Sequence, residues 1–334
     1  MGKTLSEDQR QGILNWCKSF RPYPVCIDGK GLSISQIINA YKPWLINYAA
    51  AGQIASATAR PFKEKDELRS QLFPVRIRIE KALANSLRPI FYPDIAQLKL
   101  LYKHKFFGYS KKQGVSLRLA LTTCEPTSIC GSKCYAHDAL DATPAAVVRG
   151  VLNTVLIEHW CEDRTSSVLS KFVDSEISYA ARAAHREAKS SEFVRQPRIR
   201  LSHVGEAAAY PDFVNYIASK LDLCPEGSVK CVIYTRHSKA IHLDTKHLVV
   251  NFSLDDSSRY KLNWLGNKVR YVSSSFDGLL MNEVAVNFLE HHNREHLMPI
   301  GTGFTCPVTV GGAARTCDTA KCDLCFKEPI SIKK

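Results

Sequence analysis

Cys124, Cys130 and Cys134 stand within eleven residues of one another, in the order C-x5-C-x3-C and followed directly by Tyr135 and Ala136. Pro126, Ser128, Gly131 and Ser132 lie between them, small and turn-forming residues that let a chain wrap around something compact. Thiolates are ligands for iron–sulfur clusters and for zinc. A cubane cluster normally takes four cysteines, so three in one loop leave one iron for a small molecule or for a distant fourth ligand. The competing assignment is a structural zinc site completed by His137 or another residue. An incompletely protein-ligated centre is the kind that does chemistry.

A second group, Cys306, Cys317, Cys322 and Cys325, reads C-x10-C-x4-C-x2-C among small residues near the C-terminus. Four cysteines can close a tetrahedral shell, as either a second 4Fe–4S cluster or zinc. A closed shell serves structure or electron relay. The other five of the chain's 12 cysteines, Cys17, Cys26, Cys161, Cys224 and Cys231, are scattered. The N-terminal residues lack the apolar stretch of an export signal. Clustered cysteines then point to metal rather than disulfides, and to a cytoplasmic chain.

The elements that must position these residues follow from the pattern. Val115 to Leu121 alternates as a strand and runs into the first cysteine loop. Pro144 opens a helix to about Trp160, and a second runs from about Ser166 to Lys189. Strands are expected at Arg198–His203, Lys230–Thr235, His247–Ser253 and Val269–Ser274, with a helix from Pro211 to about Leu221. Strands alternating with helices predict an α/β fold, a partial (β/α) barrel of parallel strands. In such folds ligands lie beyond the C-terminal strand ends. The cysteine loop, His203-Val204-Gly205-Glu206, Tyr234-Thr235-Arg236 and Asn251-Phe252-Ser253 all fall at such ends. Asp255 and Asp256 follow, either on the same face or in a solvated turn.

Residues 1–115 carry 19 Lys/Arg against 8 Asp/Glu, while 116–334 carry 26 against 24, so nearly all of the net charge of +13 sits in the first third. The segment is partly helical, with breaks expected at Pro43, Pro89 and Pro93. Arg76 and Arg78, with Lys103, Lys105, Lys111 and Lys112 around Phe106, Phe107 and Tyr109, mix cations and aromatics, as contact with nucleic-acid phosphates and unpaired bases requires. A solvated basic surface is the plainer alternative. His291, His292 and His296 read as an exposed helix end. No run of about 18 apolar residues is present, so no membrane partner is expected. The expected organisation is a basic, mainly helical region over 1–112, the partial barrel over 113–300, and a cysteine-rich metal-binding segment over 301–334.

A strand followed by a three-cysteine loop closed by Cys134-Tyr135 resembles the radical S-adenosylmethionine superfamily. There the free iron of a 4Fe–4S cluster chelates the methionine part of the cofactor, and a Gly-Gly-Glu-type motif at the next strand end holds its amino group. Val204-Gly205-Glu206 occupies that place. The resemblance implies that Gly205 and Glu206 contact the cofactor, and it implies an external electron donor. Tyr135 and the strand-end residues Tyr234, Arg236 and Ser253 are further candidate contacts, although Arg236 could instead meet a surface carboxylate. His203 and Glu206 are candidate acid–base groups or cofactor contacts, with a satisfied strand-end pair as the plainer alternative. The C-x5-C-x3-C spacing differs from the usual three- then two-residue gaps, and one glycine precedes Glu206 instead of two. The Cys-Tyr-Ala loop, the strand-end motifs and the C-terminal cysteines together are most similar to a phage and plasmid gene-product family, over about residues 115–328. The expected function is a radical S-adenosylmethionine-like enzyme acting on or with nucleic acid. The alternative is a non-catalytic nucleic-acid-binding protein whose clusters are structural or redox-sensing.

Overall fold

Leu68, Leu72, Val75, Ile79, Leu83 and Leu87 recur at three- and four-residue spacing, and all are fully buried. They form the inner stripe of the longest helix, α4 (Phe62–Phe91), in a computed structural model that describes residues 6–27, 32–57, 62–91, 104–110, 114–132, 134–137, 141–191, 195–261, 264–266, 269–273, 286–287 and 304–305. Pro74 and Pro89 lie inside α4. An interior proline costs a helix about 3 kcal/mol. Burial of six aliphatic side chains outweighs that, so the break expected at Pro89 does not occur. Pro93 lies outside the described residues.

The chain divides into two compact units: residues 1–106 with 118–172, and residues 107–117 with 173–334. The boundary expected near residue 112 therefore falls between two strands of the second unit, and the three-cysteine loop belongs to the first.

The first unit is helical. Before α4 come α1 (Glu7–Ser19), capped by a reciprocal Ser6–Gln9 box, α2 (Ile34–Ala40) and α3 (Lys42–Ala57). Pro43 occupies the first turn of α3, where a missing N–H costs nothing. A one-turn helix, α5 (Ser128–Ser132), carries part of the cysteine loop. Then comes α6 (Pro144–Glu162), buried almost all round, as a central helix is. The following helix, α7 (Ser167–Lys189), passes from the first unit into the second.

The second unit holds the sheet. Its strands are β1 (Phe107–Ser110), β2 (Gly114–Leu117), β3 (Arg198–Arg200), β4 (Lys230–Thr235), β5 (Leu248–Leu254), β6 (Arg270–Ser273) and the two-residue β7 (Val286–Asn287) and β8 (Phe304–Thr305). They lie in sequence order. The β1–β2 pair is antiparallel and every later pair is parallel. The mixed α/β class and the parallel sheet agree with expectation. Helix α8 (Pro211–Asp222) lies against β4 and β5, whose Val- and Ile-rich runs are buried as parallel strands are.

The strand expected over Val115–Leu121 stops at Leu117. Side chains of α6 satisfy the next backbone groups. Asn153 donates to the carbonyl of Arg118 at 2.7 Å and to that of Phe106 at 3.0 Å, while the Thr154 hydroxyl accepts the Ala120 N–H at 2.9 Å. With its hydrogen bonds met this way, the backbone has no further need of a ladder.

Candidate metal loop and strand-end site

In the first unit, residues Leu121–Thr123 make a 3-10 turn into Cys124. Cys130 lies within α5, its N–H accepted by the Thr127 hydroxyl at 3.0 Å, and a second 3-10 turn, Tyr135–His137, follows Cys134. The three cysteines are half-buried and carry no disulfide.

Both ends of this loop are held by one ion pair on α4. Arg76 Nε meets Glu80 Oε1 at 2.5 Å, a helical i,i+4 pair with both side chains wholly buried. Glu80 Oε2 accepts the N–H of Thr122, two residues before Cys124, at 3.2 Å. Arg76 Nη1 donates to the carbonyl of Ala136, two residues after Cys134, at 3.2 Å, and to that of Asp141 at 3.0 Å. The Tyr48 hydroxyl joins the network, 3.2 Å from Arg76 Nη1 and 2.6 Å from His137 Nδ1. Arg118 pairs with Asp141 beyond the loop. Burial raises Glu80, against the lowering pull of Arg76. Burial also holds His137 well below the usual histidine range, with Arg76 and Arg69 pushing the same way, so the imidazole is neutral.

Three thiols are the donor type that iron–sulfur clusters and zinc take, and here burial works against the thiolate form. Burial pushes the Cys134 thiol up to about 12, and the neighbouring Cys130 adds to the rise, while Arg76 and Arg69 act to lower it. Cys130 and Cys134 are thus close enough to feel each other's charge, with two guanidinium groups near them. Binding a metal deprotonates a thiol outright. Among the described residues, no three His, Cys, Asp or Glu side chains converge on one metal-ion position. Of Tyr135 only the backbone is described, and Cys306, Cys317, Cys322, Cys325, His291, His292 and His296 lie outside the described residues.

In the second unit, the strand ends bring together part of the expected set. The His203 N–H donates to the Leu117 carbonyl at 2.8 Å. Gly205 has a φ of 77°, a left-handed conformation natural to glycine, and it turns the chain into the buried Glu206. Glu206 Oε1 accepts the Arg236 backbone N–H at 3.3 Å. The Arg236 guanidinium pairs with buried Asp255 at 2.7 Å, and the hydroxyls of Ser257 and Ser258 donate to the same carboxylate at 2.7 and 3.0 Å. Asp255 therefore belongs to a buried carboxylate–guanidinium network and not to a solvated turn. Tyr234 carries the Arg200 guanidinium over its ring at 4.5 Å, and its backbone exchanges hydrogen bonds with the Ser202 hydroxyl. Ser253, near the end of β5, is half-buried. Arg200 and Ser202 were not singled out from the sequence. Both lie within the strand expected over Arg198–His203, next to the strand-end residues that the sequence did single out.

The expected basic surface needs one correction. Arg76 is wholly buried and committed to Glu80, so it presents no charge to a polyanion. Arg78 is partly buried and donates to the Cys17 carbonyl at 2.8 Å. Lys105 is exposed, and Tyr109 is 64% exposed beside it in sequence. Lys103, Lys111 and Lys112 lie outside the described residues. No helix among the described residues is long and apolar enough to cross a membrane.

No protein-family model matches the chain, and no curated protein matches it.

Proposed function

We propose that this is an iron–sulfur enzyme of the radical S-adenosylmethionine type, acting on or with nucleic acid. The observation that carries the proposal is the three-cysteine loop, gripped at both ends by the buried Arg76–Glu80 pair. A loop with no task beyond connection has little use for a fully desolvated ion pair at its base. Cys124, Cys130 and Cys134 hold a 4Fe–4S cluster in this reading. Such a cluster, when bound, supplies one electron for reductive cleavage of the cofactor. Glu206 at the turn after β3 receives the cofactor's amino group, and Tyr234, Arg236 and Ser253 line neighbouring strand ends. Gly205 turns the chain into Glu206, and His203, three residues earlier in sequence, serves proton transfer in this reading.

Sequential parallel order from β2 to β8, with no reversal, supports a partial (β/α) barrel, since doubly wound sheets reverse their order at a switch point. The C-terminal cysteines form a second centre, a cluster or zinc. Basic residues of the first third, Lys105 among them, recruit the nucleic acid, and an electron donor supplies the cluster.

A second reading, a non-catalytic nucleic-acid-binding protein with structural or redox-sensing clusters, is favoured by one observation. The excess charge is concentrated before residue 116, and binding a polyanion requires nothing more.

The test is anaerobic purification, with iron, sulfide and zinc counted per chain and paramagnetic resonance spectra recorded with and without S-adenosylmethionine. Iron and sulfide with a spectral shift on adding the cofactor support the enzyme. Iron without the shift favours the second reading. Zinc alone refutes both.

A further inference from the structure

Four aromatic rings adjoin in the helical unit. Trp16 and Phe20 of α1 have ring centroids 5.0 Å apart, and Phe20 meets Trp44 of α3 edge-on at 6.4 Å. Tyr23 also stands edge-on to Trp44, at 5.0 Å. Phe20 is buried, and Trp16 and Trp44 are half-buried. Tyr23 is 65% exposed, so most of its ring faces water. The backbone presents this ring stiffly. Tyr23 lies between Pro22 and Pro24, and each proline fixes its own φ and confines the residue before it to extended backbone. The strip is tied at both ends. Arg21 Nη1 donates to the carbonyls of Lys18 and Phe20, each at 2.8 Å, and the Val25 N–H donates to the hydroxyls of Tyr41 and Ser86 at 3.0 and 2.9 Å. A rigid, exposed aromatic ring loses little freedom on contact.

Cations gather at the same corner. Arg78 of α4 donates to the Cys17 carbonyl at 2.8 Å, so two guanidinium groups and the exposed Lys18 crowd the last turn of α1. Burial lowers Arg78, and the Arg21 charge pushes the same way while Cys17 opposes it. A helix C-terminus offers about half a negative charge, which three cations outweigh. An exposed aromatic face beside clustered cations fits an unpaired base and the phosphates that flank it. We propose that Tyr23, backed by Trp44, is a stacking site for an unpaired base of single-stranded nucleic acid, whose phosphates meet Lys18 and Arg21. The inference rests on the nucleic-acid part of the function proposed above and deepens it, and it needs no cluster.

The test uses the full chain and fluorescently labelled oligo-dT and oligo-U of about 12 nucleotides, a length typical of a single-strand site, against a duplex of equal length. Anisotropy is expected to show either single strand bound in preference to the duplex. Tyr23→Ala weakens that binding about tenfold, the loss of one stacked base, and Tyr23→Phe restores it. Arg21→Gln lowers the slope of log affinity against log salt by about 0.7. Tyr260→Ala, at an 80% exposed ring of the second unit, changes neither. Photocrosslinking of the wild type to a bromouracil-substituted strand puts the adduct on Tyr23 or Trp44, and needs no variant to fold. If the wild type binds neither single strands nor duplex, the nucleic-acid reading fails and this inference fails with it. Single strands bound equally by the wild type and Tyr23→Ala, or an adduct found only elsewhere, overturn this site and leave that reading standing. Duplex bound as tightly as single strands overturns the unpaired base. An oligoproline peptide bound through Tyr23 in place of a strand makes this a protein-docking surface and overturns the proposal equally.

Discussion

Gly52 of α3 lies against the carbonyl oxygen of His137: a Cβ built at residue 52 would stand 2.6 Å from that oxygen and 2.8 Å from Cβ of Ala142. Neither contact is with a flexible side chain, so neither can be relieved by a rotamer change. The far end of the cysteine loop is seated on a helix with no room for one extra carbon.

Gly52→Ala therefore forces the loop and α3 apart. The expected cost is about 1–3 kcal/mol, the usual range for overpacking. Thermal unfolding reads the cost directly, and iron per chain falls with it. Gly12→Ala is the control, since a Cβ there meets nothing within 4 Å and α1 gains a better helix former.

Breaking the Arg76–Glu80 pair from one side leaves a buried charge. Glu80→Leu is expected to cost about 3–5 kcal/mol, and Arg76→Met a similar amount. The double variant recovers a large part, because an apolar pair of similar volume needs no desolvation. Denaturant titration of the four proteins gives the coupling energy. Costs that simply add would show that the two side chains do not act together.

His104 supplies a pH dependence. Burial lowers it to about 4, against a usual value of 6.5, with Arg149 and Lys105 adding to the fall and the Asn153 hydrogen bond opposing it. The unfolded chain takes up this proton near 6.5 while the folded protein refuses it until about 4. The contribution is therefore fully present above pH 6.5 and is lost as pH falls from 6.5 towards 4. Linkage puts the loss at about 3 kcal/mol. His104→Gln keeps a donor to Asn153 and flattens this part of the stability profile. An unchanged slope in the variant would place the proton elsewhere.

Cys130→Ala and Cys231→Ala separate ligands from core thiols. Cys231 is buried in β4, and burial raises its thiol well above the usual range. Its loss is expected to lower stability and leave iron unchanged. Loss of Cys130 is expected to remove about four irons per chain, at little cost to the sheet. Equal iron in both variants would exclude the loop as the cluster site.

Much of the sheet was legible from sequence. Lys230–Thr235 is a strand with the bounds its β-branched run implies, and the neighbouring strand shifts by one residue. Helices opening at Pro144 and Pro211 start there, because proline is suited to the first helical position. What was missed depends on tertiary contacts. Helix α4 passes through two prolines because its stripe is buried, and no local signal reports that burial. Strand β1 was read only as a basic, aromatic stretch. Arg76 looked like surface charge, although Glu80, one helical turn later among apolar residues, was the available sign of its pairing. The Arg236–Asp255 pair joins the ends of β4 and β5, which adjacent parallel strands bring together but sequence spacing does not.

Asn153 holds the chain at Phe106 and again at Arg118, the two points where it leaves and re-enters the helical unit. The antiparallel strands β1 and β2 between them belong to the sheet. Neither unit is thus a continuous piece of chain, and a gene cut at residue 112 would separate Ser110 from its partner Gly114. During synthesis, β2 must wait about 80 residues for β3 to emerge, its hydrogen-bonding edge open to any other strand meanwhile. Production of the protein in pieces is accordingly expected to yield aggregates. Limited digestion of the intact chain is the better route to its parts.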